Sequence, residues 1–333
     1  MAGKVRSEPS RMKGSVLVSD VVERHFGELL DQTAPEMPRV VVAPDGHEGA
    51  LDDVTVAYFS GDVFPDRTVD FLRTVIRAKG LRWFHSFSAG VDSPFFGGLL
   101  ERGIRLSTSS GAMAAPIAHT VFLYILAFSR DLRGWFADQQ KQVWAPRDVR
   151  DLQGRRLGVF GLGPIGLEIA RLGTAFGMEV VGFRRNPRGD EPCETRTSGE
   201  LADALGSLDY LVLAAPLSNE TRGVIDAAAL QAMKSDAVLV NIARGELVEE
   251  ASLVKALTEG WIGGAALDVF EREPLPEDSP LWNLPNVILT PHSSGTNPGN
   301  FFRATEIFID NLGRYIRDEP LRNEVTRPGE RAS

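Results

Sequence analysis

The residues of this chain whose types could do chemistry fall in three short stretches set far apart: Asn241-Ile-Ala-Arg-Gly245, Asp268-Val-Phe-Glu-Arg-Glu273 and Pro291-His292. Together they supply an arginine, a carboxylate and a histidine. A guanidinium holds a carboxylate through two parallel hydrogen bonds. An imidazole exchanges a proton near neutral pH, and a neighbouring carboxylate orients it and favours its charged form. Upstream lies a glycine run, Gly161-Leu-Gly-Pro-Ile-Gly166. With a nicotinamide beside the three groups, the chemistry open to them is reversible reduction of a 2-keto acid.

Elements able to position these groups run the length of the chain. Ser15–Ser19, Val40–Ala43, Val54–Tyr58 and Trp83–Phe87 read as strands separated by helical stretches such as Val69–Lys79, the alternation of a parallel α/β sheet. Pro116 opens a long apolar helix reaching about Arg133, and a looser charged segment with Trp135 and Trp144 follows to Arg150. A second α/β series then begins at Arg156. Its six strands are Leu157–Phe160, Glu179–Phe183, Tyr210–Ala214, Ala237–Ile242, Gly264–Asp268 and Val287–Thr290, enough for a complete dinucleotide-binding sheet. A last helix is expected from about Asn300 to Arg317, followed by a polar tail.

The glycine run follows its strand directly and opens a helix. Gly161 allows the tight turn, Gly163 lets a pyrophosphate approach the backbone, and Gly166 permits close helix–strand packing. Past Pro164, the amide of Ile165 and its neighbours face the phosphates at the helix N-terminus. A bare glycine pattern is often only a turn, but strand, turn, helix and second strand together make a nucleotide site. An NAD site places an acid at the end of the second strand, whereas this chain has Arg184 and Arg185. Arginine there accommodates the 2′-phosphate of NADP. NADP is therefore expected over NAD, which stays open. Ala215, Pro216, Ile242, Ala243, Asp268 and Gly295 complete the expected cofactor contacts, and no metal is expected.

From about Ser88 to Gly295 the sequence resembles the D-2-hydroxyacid dehydrogenase family, in particular its glyoxylate/hydroxypyruvate reductases. The resemblance rests on Ser88-Ala-Gly-Val-Asp92, the glycine run, Asn241–Gly245, Gly264-Ala-Ala-Leu-Asp-Val-Phe270 with Glu273-Pro274, and Thr290-Pro-His292. It implies that Arg244 pairs with the substrate carboxylate and polarises the keto oxygen. The amides of Ala89 and Gly90 are implied to bind the same carboxylate, as an anion-binding turn does. His292 would protonate the carbonyl oxygen as hydride arrives, with Glu273 hydrogen-bonded to it, and Asp268 would hold the nicotinamide carboxamide. Glu271 competes for the supporting role, and the family match places that glutamate directly before Pro274. His25, His47, His85 and His119 read as structural, His85 being the least settled because its strand leads toward the expected cleft. Asp92 reads as a turn-capping residue without chemistry. The run Ser293–Gly299 departs from the apolar continuation frequent in the family and is mildly like the formate dehydrogenase branch, which the N-terminal pattern does not support.

The expected fold is α/β, with two doubly wound parallel-sheet domains and a cleft between them. The nucleotide domain would span 114–295. The substrate domain would be discontinuous, 1–113 and 296–333, with two hinge crossings that allow closure over substrate. The helix carrying Tyr124 and Phe128 and the arm carrying Trp135 and Trp144 are candidates for a homodimer surface, packing within the domain being their other role. Phe87, Trp83 and Phe301 are candidates for lining a pocket for bulkier 2-keto acids.

Composition sets bounds on these readings. The 333 residues suffice for two cores, and a net charge of -9 argues against a nucleic-acid binder, which needs a basic face. No stretch has the roughly 20 apolar residues of a membrane helix, so no membrane partner is expected. The single cysteine, Cys193, points to a reducing, cytoplasmic setting, and its acidic neighbours give it no catalytic role. Met1 to Gly14 reads as a disordered leader rather than a secretory signal, with Met12 an alternative start. The rival from another class is a dinucleotide-sensing scaffold, since the C-terminal-binding-protein corepressors are similar in fold and keep the same catalytic-looking residues.

Overall fold

The computed structural model describes residues 14–91 and 93–325; the expected leader (1–13), Asp92 and residues 326–333 lie outside the described residues. The chain divides into two compact units, one running to Ala112 and resuming at Asn297, the other Met113–Thr296.

In the first unit, β1 (Ser15–Ser19), α1 (Asp20–Thr33), β2 (Arg39–Ala43), β3 (Gly46–Glu48), β4 (Val54–Phe59), α2 (Thr68–Arg77), β5 (Trp83–Ser86), α3 (Pro94–Glu101) and β6 (Arg105–Thr108) follow in order. The sheet order is β3-β2-β1-β4-β5-β6, parallel except for the short antiparallel β3 at its edge. Because side chains alternate across a strand, Leu17, Ala57 and Phe84 join the core under α2 and α3, while Val16, Val18, Tyr58 and Trp83 join the core beneath α1 and the C-terminal helix Gly299–Ile316. Burial on both faces explains why these strands read as continuous apolar runs. The strands β3 and β6 were absent from the sequence reading. Trp83 is fully buried against Phe308 and Tyr315, which removes it as a pocket-lining candidate.

A buried polar chain crosses this unit at His85. Trp83 Nε1–H donates to Ser107 Oγ (2.8 Å), and Ser107 Oγ lies 2.7 Å from His85 Nδ1. His85 Nε2 lies 2.9 Å from Ser109 Oγ, which donates to the carbonyl of Ala304 (3.1 Å). Each hydroxyl has one proton. That of Ser109 is committed to Ala304, so Nε2 must donate; Ser107 is then left to donate to Nδ1. His85 is thus a neutral Nε2–H tautomer with both nitrogens satisfied and no part in chemistry. Burial pushes its pKa down from 6.5 to about 3. Between those values the unfolded chain binds a proton that the folded chain refuses. The residue's contribution to stability is therefore whole above pH 6.5 and is lost as pH falls toward 3, by about 1.4 kcal/mol per pH unit. Wild-type protein is expected to lose more thermal stability between pH 7 and pH 5 than His85→Gln does, measured by scanning calorimetry. Equal losses would contradict this assignment.

The second unit opens with α4 (Ala114–Ser129) and α5 (Leu132–Lys141), followed by β7 (Arg156–Phe160), α6 (Pro164–Ala175), β8 (Glu179–Arg184), β9 (Glu194–Thr197), α7 (Leu201–Ala204), β10 (Tyr210–Leu213), α8 (Ala227–Ala232), β11 (Val238–Asn241), α9 (Glu250–Glu259), β12 (Gly264–Leu267) and β13 (Val287–Leu289). The sheet has seven strands, not six, all parallel in the order β13-β12-β11-β10-β7-β8-β9. The order reverses between β7 and β10, and ligands bind outside the carboxyl ends of strands at such a switch point. The apolar helix does not run to Arg133: it ends at Ser129, Asp131 takes a left-handed conformation (φ 49°), and its carboxylate caps α5 through the Gly134 amide (3.2 Å). The expected loose segment thus begins as a helix. Tyr124 is buried, so the exposed apolar residue of α4 is Leu123, not Tyr124.

Candidate active site

At the switch point the glycine run divides its labour as steric geometry demands. Gly161 has φ +105°, and a Cβ there would sit 2.5 Å from the Ala215 amide nitrogen across β10. A Cβ on Gly166 would sit 1.9 Å from the Gly161 carbonyl oxygen, so the helix and the turn touch backbone to backbone. A Cβ on Gly163 would meet nothing within 4 Å, leaving the middle of the turn open to a close-approaching group. Gly163 caps α6, Pro164 is its first residue, and the Leu167 amide already bonds the Gly163 carbonyl (2.9 Å). The amides of Ile165 and Gly166 remain at the positive end of the helix. A cavity of about 1100 Å³ adjoins, lined by Gly161, Gly163, Arg184, Arg185, Ala215 and Pro216 among others. An open glycine, unclaimed helix amides and this volume fit the phosphates and adenosine of a dinucleotide.

The two arginines at the end of β8 differ. Arg184 donates to Glu191 (2.8 Å), whose other contacts are the amides of Arg188 and Gly189 (2.8 Å each). Those amides, with that of Arg188 foremost, hold the Glu191 carboxyl down at about 2. Arg184 is thus part of the stitch that closes the turn. Arg185 is exposed and pairs across the cavity rim with Glu220 (2.6 Å).

The arginine, carboxylate and histidine stretches follow β11, β12 and β13, three neighbours in the sheet. Buried Asn241 ends β11 and clamps the turn: its Oδ1 accepts from the Ala243 amide (3.1 Å), and its Nδ2 donates to the Arg244 carbonyl (2.8 Å). The Arg244 guanidinium donates to the Ala243 carbonyl (2.7 Å). Gly245 is required by close approach, since a Cβ there would lie 1.9 Å from the Phe270 carbonyl carbon. The turn carrying Arg244 therefore rests directly on the segment leading to Glu273.

His292 Nδ1 lies 2.7 Å from Glu273 Oε2, and Glu273 Oε1 accepts from the Phe270 amide (3.1 Å). Glu271 goes elsewhere, accepting from the Glu250 amide at the start of α9 (3.0 Å). A carboxylate on Nδ1 leaves Nε2 as the nitrogen able to give or take a proton. The imidazole is about half exposed. His292 itself is left-handed (φ 49°), an uncommon conformation for a side chain of this size. It is held there by its amide bonding the Asp268 carbonyl (2.8 Å) and by the buried Asp268 carboxylate, which accepts from the Ser293 (2.8 Å) and Ser294 (3.0 Å) amides and the Thr290 hydroxyl (2.5 Å).

Of the other candidates, Ile242 and Ala243 are buried at the end of β11, and Gly295 packs against Ile117 and Met113. With Asp268 they lie past the cavity, on the β13 side of the sheet. In the first unit, Ala89 is exposed on a turn closed by Ser88 Oγ donating to the Gly90 carbonyl (3.0 Å). Phe87 packs on Phe59 and Phe64, and Phe301 on Phe26 and Phe302. The sequence reading named Asn241 and Thr290 only as members of motifs and Tyr124 only as a dimer-surface candidate, and gave none of them a role at the site. The signal was present for Asn241, a polar residue closing the buried run Val238-Leu-Val240. Among the described residues no group of three His, Cys, Asp or Glu could hold a metal, and no helix is long and apolar enough to cross a membrane.

Comparison with known proteins places this geometry. Residues 122–294 match the model of the D-isomer specific 2-hydroxyacid dehydrogenase NAD binding domain. A glyoxylate reductase of Korarchaeum cryptofilum is 32% identical over 314 residues, covering 92% of this chain and 91% of its own. A D-isomer specific 2-hydroxyacid dehydrogenase family protein of Aeromonas salmonicida superposes with a TM-score of 0.78 at 30% identity, covering 94% and 99%. The family enzyme of Xanthobacter autotrophicus Py2, in complex with NADPH and MES, gives 0.76 at 29% identity, covering 95% and 98%. With its nucleotide fold, its open glycine turn at a helix end and these relatives in agreement, the chain belongs to the D-isomer specific 2-hydroxyacid dehydrogenases, a family of NAD(P)-dependent oxidoreductases.

Proposed function

We propose that the protein reduces a small 2-keto acid to the D-2-hydroxy acid, with NADPH favoured over NADH as hydride donor. The observation that carries the reading is the His292–Glu273 pair (2.7 Å) at the strand ends of the sheet that also bears the open glycine turn. Arg244 pairs with the substrate carboxylate and polarises the keto group. His292 Nε2 delivers the proton while Glu273 orients the ring through Nδ1. Asp268 holds the nicotinamide carboxamide. In the first unit, the amides of Ala89 and Gly90 form an anion-binding turn suited to a carboxylate. When bound, the cofactor supplies the hydride, and the protein orients, protonates and excludes water. Glyoxylate or hydroxypyruvate is the substrate class favoured, in line with the glyoxylate reductase of Korarchaeum cryptofilum. The work is cytoplasmic. Exposed Leu123, Trp135, Phe136 and Trp144 on and after α4 form the surface of a homodimer; a single monomer-sized species in sedimentation velocity would remove that part.

The test is loss of nicotinamide absorbance with NADPH and, separately, NADH across glyoxylate, hydroxypyruvate, pyruvate and phenylpyruvate. Nucleotide binding without oxidation of either cofactor would favour the sensing scaffold instead. The preference for NADPH rests on Arg184 and Arg185. Replacing both by alanine is expected to weaken NADPH by about 10- to 100-fold, the range of one or two charge-assisted bonds, and NADH far less. Arg185→Ala is the cleaner single variant, because Arg184→Ala also opens the Glu191 stitch. Equal losses for both cofactors in a calorimetric titration would end the specificity argument.

A further inference from the structure

One face of α4 is built against the segment that carries His292. Ile117 meets Gly295, where an added Cβ would lie 3.1 Å from its Cγ1. One turn on, Thr120 Oγ donates to the Ser294 carbonyl (2.9 Å), and one turn further Tyr124 reaches Thr290, hydroxyl to hydroxyl, at 2.5 Å. The spacings of three and four keep these residues on one side of the helix. Proton accounting sets the direction of the last contact. Thr290 has one hydroxyl proton, and it goes to Asp268 Oδ1 (2.5 Å), which has none to offer as a carboxylate. Tyr124 must therefore donate to Thr290. Burial pushes the Tyr124 pKa up to about 12, so it keeps that proton at any physiological pH.

The chain loads the two oxygens of Asp268 unequally. Oδ1 accepts from Thr290 and from the Ser293 amide (2.8 Å), and the one Ser294 N–H is shared between Oδ1 (3.1 Å) and Oδ2 (3.0 Å), the latter having no other donor among the described residues. With two donors of its own, Oδ1 has both lone pairs engaged and is locked, whereas Oδ2, holding only a share of one N–H, keeps capacity for another.

We propose that Tyr124 is a positioning residue: through Thr290 it fixes the Asp268 carboxylate so that Oδ2 stays available to the nicotinamide carboxamide. The proposal rests on the reading that Asp268 holds that carboxamide. Tyr124 touches neither cofactor nor substrate. Its influence runs through one half-buried hydroxyl, that of Thr290, so it should be felt by the nicotinamide end of the cofactor and not by the adenosine end.

Binding of NADPH and of 2′-phospho-ADP-ribose, the same molecule without its nicotinamide, separates the two ends; NADH and ADP-ribose run alongside. Tyr124→Phe is expected to weaken the intact dinucleotide about tenfold, the scale of one buried polar contact, and to leave the fragment within about twofold. Thr290→Val should reproduce this split, and Thr290→Ser, which keeps the hydroxyl, should recover most of the loss. Asp268→Ala is the reference. If it spares the fragment and weakens NADPH while Tyr124→Phe and Thr290→Val change neither, the proposal is overturned and the role of Asp268 stands. If Asp268→Ala itself does not distinguish the two ligands, the reading beneath the proposal fails with it. Parallel loss of both ligands in Tyr124→Phe would mean a general structural role and would also overturn it.

Discussion

Replacing His292 by alanine is expected to lower kcat by about 10²- to 10⁴-fold, the span usual for a positioned general acid, while the dissociation constant for NADPH stays within about twofold. The separation follows from geometry. The imidazole is half exposed, and its contacts are to Glu273 and, through its backbone, to Asp268 and Thr290. The large cavity, by contrast, is lined by the ends of β7 and β8, the stretch after β10 and α8, and not by His292 or Glu273. Alanine keeps the backbone amide that bonds the Asp268 carbonyl, so the turn retains that tether. Its left-handed φ of 49° is no better tolerated by alanine than by histidine. Glu273→Gln should cost less, because an amide oxygen still accepts from Nδ1 but carries no charge to favour the imidazolium. Stopped-flow turnover paired with calorimetric NADPH binding decides the matter. Loss of cofactor binding in step with kcat would show that His292 serves the fold of the turn and not the proton transfer.

Gly245→Ala is expected to be the most damaging single-methyl change in the chain. An added Cβ would lie 1.9 Å from the Phe270 carbonyl carbon, 2.1 Å from its oxygen and 2.2 Å from the Glu271 nitrogen. All three are backbone atoms, so no side chain can rotate away. Restoring ordinary contact at roughly 3.5 Å requires the two segments to part by more than 1 Å. One carries Arg244 and the other leads to Glu273. Overpacking of this kind costs about 1–3 kcal/mol or more, and a displacement of about 1 Å between reacting groups costs on the order of 10²-fold in rate. Gly245→Ala should therefore lower both the thermal midpoint and kcat/KM. Gly97→Ala is the control: it sits exposed in α3 with nothing within 4 Å of its added Cβ, and should be neutral or mildly stabilising. A Gly245→Ala enzyme with wild-type kcat/KM would refute the close-approach account.

How much of this was legible in the sequence depended on which residues carry each feature. Strands buried on both faces announce themselves as short apolar runs, and β1, β4, β10 and β11 are of that kind. The edge strand β9, Glu-Thr-Arg-Thr, has no buried residue and left no such trace. The break between α4 and α5 was hidden because neither glycine nor proline marks it; an aspartate in a left-handed conformation does the work that glycine usually does. At the site, charged and glycine residues stood out by type and spacing. What holds them did not. Asn241, Thr290 and Tyr124 act through one or two side-chain hydrogen bonds each, and for Thr290 and Tyr124 nothing in the local pattern separates such a group from an ordinary polar residue of the core. Arg184 has in addition a partner its type did not announce, the Glu191 carboxylate, seven residues on.

The order of the seven-stranded sheet has a consequence for how such a protein can change. The glycine turn follows β7 and the cavity arginines stand at the end of β8, on one side of the switch point, whereas Arg244, Asp268 and His292 follow β11, β12 and β13 on the other. The candidate reacting groups come from three strands consecutive in both chain and space, and the glycine turn and the two arginines from another consecutive pair. Each set is a contiguous gene segment that can be exchanged or mutated as a block. Substitutions in distant sets combine nearly additively where they share no partner, so on the proposed reading recognition of the 2′-phosphate at the end of β8 can change apart from Arg244, Glu273 and His292. A designer could graft a β7–β8 segment with an acidic residue in place of Arg184 and Arg185 without redrawing the Arg244–Glu273–His292 half.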